Sequence, residues 1–277
     1  MAAAVIRSFF IVVLFKFCLI LKCLENTKIN PYPKLSPKVL GFLLFLRPII
    51  HDITDPDTMF YIKRDTGKIC YMILPEGIKE DVYEGLERMS VKYGVSMVVI
   101  DGVNWNDDLT PWSAEGVFKK AKPFKGQAAS FLDRLTKVMI PEIEKEMEVE
   151  ATERTILGVS LSGLFAVWAA FNTDAFTNVI SISGSLWYDG FVDWMNENTL
   201  SPQVQKVCML LGEKEKNAKD RRMATVEERT EAAARIMEAK TNAGVCFELV
   251  EGTHFSPVMP RLERAFDLIW KSDDVCR

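Results

Sequence analysis

Histidine is nearly missing from this chain: 277 residues hold only two, His51 and His254. The cysteines do not join them in any zinc-type Cys/His spacing, so neither a metal nor a cofactor is expected. They form no disulfide framework either. Cys70, Cys208 and Cys246 fall inside apolar runs that read as core strands, where cysteine acts as a small hydrophobe. That placement favours a reducing compartment. Positive charge is not in excess: the net charge is −4 and no basic stripe appears, which argues against a nucleic-acid partner. Repeats and low-complexity tracts are absent. So is a long unbroken apolar run, since Lys16 cuts the best candidate, residues 9–21, which is shorter than the ~20 residues of a comfortable bilayer span.

What is present at the N-terminus is a basic, apolar segment. Between Met1 and Ile50 there are seven Lys or Arg residues and one acid, Glu25, with a second apolar run at 39–46. Such a segment suggests a leader or an anchor, but no small-x-small cleavage site follows it. The expectation is a leader over residues 1–56 and a catalytic domain over 57–277. The chain is expected in the cytoplasm, with membrane association through the N-terminus or export as the alternative. Composition fits one globular domain able to bury a large core, with 48% hydrophobic and 26% charged residues.

From residue 57 onward, short apolar runs alternate with segments of helical spacing. Residues 58–63 and 68–74 read as strands joined by Asp65-Thr66-Gly67, a hairpin signal. Residues 95–100, 178–183, 206–211 and 245–250 are further strands. Helices are expected over 78–93, 126–147, 164–171, 226–239 and 257–271, with Pro141 kinking or dividing the second. Alternation of this kind gives an α/β fold, a mostly parallel sheet covered by helices on both faces.

The most informative stretch is Thr155-Ile156-Leu157-Gly158-Val159-Ser160-Leu161-Ser162-Gly163-Leu164-Phe165. An apolar run ends in Gly-x-Ser and small residues, and then helix formers begin. A serine at the apex of a sharp strand-to-helix turn needs small residues two positions to either side, and Gly158 and Ser162 qualify. The usual motif has glycine at the place of Ser162, and Gly163 partly compensates. A plain strand-to-helix turn would look similar, but two partners arrive in order. Gly212-Glu213-Lys214-Glu215 follows a buried strand and supplies a carboxylate. His254 follows the last strand, about ninety residues after Ser160. Serine, acid, histidine is the order in which an α/β-hydrolase places its nucleophile, its orienting carboxylate and its base.

These residues resemble a known group. Gly158-Val159-Ser160-Leu161-Ser162-Gly163-Leu164-Phe165 is similar to the elbow of the putative esterase family of the α/β-hydrolase superfamily, which includes esterase D and enterochelin esterases. Trp105-Asn106-Asp107-Asp108-Leu109-Thr110-Pro111-Trp112, Ser181-Ile182-Ser183-Gly184-Ser185-Leu186-Trp187 and Gly212-Glu213-Lys214-Glu215 resemble a bacterial subgroup of it. The resemblance runs over residues 68–270. It implies Ser160 as nucleophile, His254 as base and Glu215 as the best placed acid. A serine–histidine dyad, known among some relatives, would leave the acid dispensable.

The oxyanion donors expected are the backbone N–H of Leu161 and a second from an earlier loop. Pro75-Glu76-Gly77 and Asp101-Gly102-Val103-Asn104-Trp105 both qualify; topology favours Gly77, and the resemblance points to Trp105 and Asn106. Trp105, Trp112 and Trp187 lie in loops at the carboxyl ends of strands, where they wall a substrate pocket or simply pack under long loops. The function expected is a serine hydrolase acting on a small-molecule carboxylic ester. An acyltransferase on the same scaffold and a non-catalytic binding protein of this fold are the alternatives. Nothing in the sequence sets the oligomeric state.

Overall fold

In the computed structural model of the chain, the described residues are 59–73, 80–117, 121–242 and 244–271. All belong to the compact unit Ile53–Arg277. The leader expected over residues 1–56 lies outside the described residues.

Among the described residues there are nine strands: β1 (Met59–Ile62), β2 (Lys68–Ile73), β3 (Ser96–Ile100), β4 (Ser113–Ala114), β5 (Phe124–Lys125), β6 (Glu153–Val159), β7 (Asn178–Ile182), β8 (Lys206–Gly212) and β9 (Gly244–Val250). Helical spacing gives α1 (Glu80–Tyr93), α2 (Trp105–Asp108), α3 (Ala128–Arg134), α4 (Ile140–Glu146), α5 (Leu161–Ala169), α6 (Phe191–Glu197), α7 (Val226–Lys240) and α8 (Val258–Trp270). Seven strands form one sheet in the order β1-β3-β2-β6-β7-β8-β9, parallel except for β1, while β4 and β5 pair separately.

The strands read as continuous apolar runs because alternate residues feed two cores. Ile69, Tyr71 and Ile73 of β2 face one core and Cys70 and Met72 the other. In β8, Val207, Met209 and Leu211 join the first core, Cys208 and Leu210 the second. Each fully buried side chain of this size contributes about 1.5–3 kcal/mol. The first core is covered by α3, α4, α5 and α7, and the second by α1 and α8. All nine residues of α5 are buried, which explains its lack of a polar face.

One local expectation is corrected and one is met. The segment 63–67 does not close a hairpin: β1 pairs antiparallel with β3, and β3 lies between β1 and β2. Every residue of β3 is buried, so it takes an inner position and is paired on both edges. The connection passes the start of β3, where Ser96 Oγ accepts the Arg64 N–H (2.8 Å) and donates to the Arg64 carbonyl (3.1 Å). The expected helix over 126–147 is divided just before Pro141, which falls in the first turn of α4. A π-helical turn, Leu135–Met139, precedes it, and α4 continues through Pro141. A wider turn there relieves the missing N–H and the clash of the ring with the preceding turn.

Candidate active site

Four neighbouring strands end along one edge of the sheet, and each hands its next loop a side chain of the site. The ladder continues past the strands: Ser160 N–H donates to the Ile182 carbonyl (3.0 Å), Ser183 N–H to Leu210 (2.7 Å) and Glu213 N–H to Val250 (2.9 Å). The loops after β6, β7, β8 and β9 are therefore held in register at the carboxyl edge, where open α/β sheets place ligands.

After β6 the chain turns at once into α5. Ser160 sits at the apex with φ +63° and ψ −122°, a conformation that costs a non-glycine residue about 1–3 kcal/mol. Gly158 makes the turn possible, since a Cβ there would lie 2.0 Å from the Ser162 carbonyl oxygen. The hydroxyl of Ser162 does more than fit: it accepts the Val159 N–H (2.7 Å) and donates to the Val159 carbonyl (2.8 Å). The serine that stands where the usual motif has glycine thus staples the elbow from within.

Glu215 follows β8 on a short turn and is buried, with 4% of its side chain exposed. Its Oε1 accepts the Gly212 N–H (2.8 Å) and the Ser183 hydroxyl (2.6 Å). Its Oε2 lies 2.9 Å from His254 Nδ1. Burial, the largest single influence, would raise this carboxyl, but the bonds from His254, Ser183 and Gly212 outweigh it and hold it below its ordinary value. An ionised carboxylate only accepts, so Nδ1 carries the imidazole proton and Nε2 is left as the acceptor. That Nε2 lies 3.1 Å from Ser160 Oγ. The three side chains named from the sequence order are therefore brought into one hydrogen-bonded line.

A cleft of about 310 Å³ opens over Ser160, with Leu161, His254, Trp105, Asn106 and Trp187 in its wall. Trp187 is also capped by the Arg222 guanidinium, 5.5 Å from the ring centre. Trp112 is not in this wall. Its ring packs against Tyr188, Phe191 and Trp194, and its Nε1–H donates to the Asp189 carbonyl (3.0 Å), so it serves packing under the loops. Phe255, beside His254, is 91% exposed and meets the imidazole edge-on.

The Leu161 N–H belongs to the first turn of α5, where a helix supplies no acceptor of its own. Leu161 itself lies in the wall of the cleft beside Ser160. Gly77 lies outside the described residues. In the competing loop, Gly102 N–H is taken by the Asp101 carboxylate (2.7 Å) and Asn104 N–H by Asp108 (3.1 Å), while Trp105 and Asn106 lie in the wall of the cleft. Two site residues were not foreseen: Ser183, with φ +49°, and Arg261 of α8, whose Nη1 donates to Ser183 Oγ (2.6 Å). Arg261 stands three residues after Val258 and four before Ala265, on the apolar stripe of its helix. A charge on that stripe is the signal that could have drawn attention to it.

Known proteins are similar to this chain in sequence and in fold. The chain is 27% identical over 161 residues to YbbA of Bacillus subtilis (strain 168), itself described as uncharacterised, across 56% of this chain and 64% of that protein. The match thus spans less than two thirds of the relative's length. Its fold is similar to that of an IroE-like serine hydrolase from Shewanella oneidensis (TM-score 0.60, 19% identity, covering 76% of this chain and 75% of the other). It is also similar to the siderophore hydrolase EstB from Aspergillus nidulans (TM-score 0.59, 17% identity, covering 82% and 99%). The family model described as Putative esterase matches residues 78–255, a span that holds Ser160, Glu215 and His254, and the chain belongs to that family.

Proposed function

We propose that the protein is a carboxylic ester hydrolase working through an acyl-enzyme on Ser160. His254 Nε2 takes the Ser160 proton as Oγ attacks the ester carbon. Glu215 holds the imidazole in the tautomer that leaves Nε2 free and stabilises the imidazolium that forms. The proton then passes from Nε2 to the leaving alcohol. Water, losing its proton to Nε2, releases the acid and restores the serine. The Leu161 N–H supports the oxyanion of each tetrahedral intermediate, and Gly77 is proposed as the second donor. Trp105 and Trp187 are proposed to flank the acyl group or the alcohol of a small-molecule ester.

The observation that carries this reading is the unbroken line from Ser160 Oγ through His254 to Glu215, at 3.1 Å and 2.9 Å. A scaffold that only binds needs neither the strained serine nor the buried carboxylate behind the histidine. The expected outcome is that Ser160→Ala lowers hydrolysis of short p-nitrophenyl esters by about 10⁴-fold or more with the fold intact. A variant that keeps most of the wild-type rate would overturn the assignment.

A further inference from the structure

We propose that Arg261 is a positioning residue for this reaction: together with Ser183 it locks the Glu215 carboxylate in the orientation that presents Oε2 to His254, and it ties the histidine loop to that carboxylate. The inference rests on the triad reading above.

Arg261 comes from α8 on the far face of the sheet, yet its guanidinium reaches the carboxyl edge, and only 5% of its side chain is exposed. There it meets three loops, each carrying part of the site. Its Nη1 donates to Ser183 Oγ after β7 (2.6 Å) and to Glu215 Oε1 after β8 (3.4 Å). Its Nη2 donates to the carbonyl of Thr253, the residue before His254, after β9. A planar fork with fixed directions can hold three acceptors in one arrangement, which an ammonium cannot do.

The backbone makes room for this fork. A Cβ on Gly212 would fall 2.9 Å from Arg261 Nη2 and 2.9 Å from Glu215 Oε1. A Cβ on Gly252, where φ is +114°, would lie 3.4 Å from Nη2. With Gly212 N–H, Ser183 and Arg261 all on Oε1, that oxygen has no capacity left, and the carboxylate cannot turn to offer His254 a different face. The guanidinium is also a fixed countercharge for Glu215 during the part of the cycle in which His254 is neutral. A buried arginine could instead be only a structural ion pair, and then its loss would slow the serine whether or not Glu215 is a carboxylate.

A double-mutant cycle separates the two, read as the rate at which a fluorophosphonate probe labels Ser160 in the full chain. Arg261→Met is expected to slow labelling by about 10–100-fold, the scale of a misplaced catalytic group. In a Glu215→Gln background the same change should add no more than about twofold. Arg261→Lys should restore only part of the rate. Ser183→Ala, a smaller change, runs the same cycle should Arg261→Met fail to fold, with thermal midpoints recorded for every variant. Equal losses in both backgrounds, or no loss in the wild-type background, would overturn the proposal while leaving the triad standing. If Glu215→Gln alone labels at the wild-type rate, or if the wild type does not label, the triad reading fails and the proposal fails with it.

Discussion

Three acids stand within reach of the loop after β8, and their surroundings differ. Glu215 is enclosed and points Oε2 at His254, Glu213 is half-exposed beside Lys214, and Asp220 accepts the N–H groups of Arg222 and Met223. Glu215→Gln should therefore lower turnover of a p-nitrophenyl ester by on the order of 10²–10⁴, because the imidazole loses both its tautomer and its countercharge. Glu213→Gln and Asp220→Asn should leave it within a few-fold. Near-normal rates in all three would point to a serine–histidine dyad. Gly158 gives a second expectation: Gly158→Ala drives a methyl group into the Ser162 backbone, so esterase activity and thermal midpoint should both fall. An active, equally stable Gly158→Ala protein would contradict the elbow geometry. Ser160, Glu215 and His254 were legible in the sequence because each follows a recognisable strand in a fixed order. Ser183 and Arg261 were not. A serine in a loop and an arginine in an amphipathic helix have no diagnostic spacing, and only the folded sheet brings them to one carboxylate.

At the scale of elements, apolar period predicted most strands and helices to within a few residues, since fully buried parallel strands leave a strong signal. Pairing was less legible. The five residues between β1 and β2 look like a hairpin loop, and nothing local announces that a strand some thirty residues on will pass between them. Cover of the second core depends on α1 packing against α8, and Asp267 joins them. Its carboxylate accepts the Tyr93 hydroxyl (2.6 Å) and pairs with Lys271 (2.8 Å) and Lys92 (3.5 Å). Burial acts to raise this carboxyl, but the bonds from Lys271 and Tyr93 and the charge of Lys92 prevail and bring it from 3.8 to about 2. A carboxyl lowered on folding adds stability that is fully present above its unfolded value and is lost as pH falls through the folded one. The thermal midpoint should thus drop between pH 4 and pH 2. Asp267→Asn should be less stable than the wild type above pH 4 and converge with it towards pH 2; parallel curves over that window would contradict this.

At the scale of the molecule, the site sits where the parallel part of the sheet ends, and its cleft is walled by the loops after β3, β6 and β7 with His254 at one side. In the proposed mechanism that arrangement forms an acyl-enzyme, and the same triad serves water or an alcohol as the second acceptor. We propose water. With an added short alcohol, the free acid should remain the main product of turnover, and an ester as the main product would assign acyl transfer instead. The measurement that tests the central claim most directly is peptide mapping of the full chain after exposure to a fluorophosphonate. The account predicts one covalent adduct, on Ser160, absent from Ser160→Ala and formed far more slowly in His254→Ala. An unlabelled wild-type protein, an adduct on another residue, or undiminished labelling in His254→Ala would contradict it.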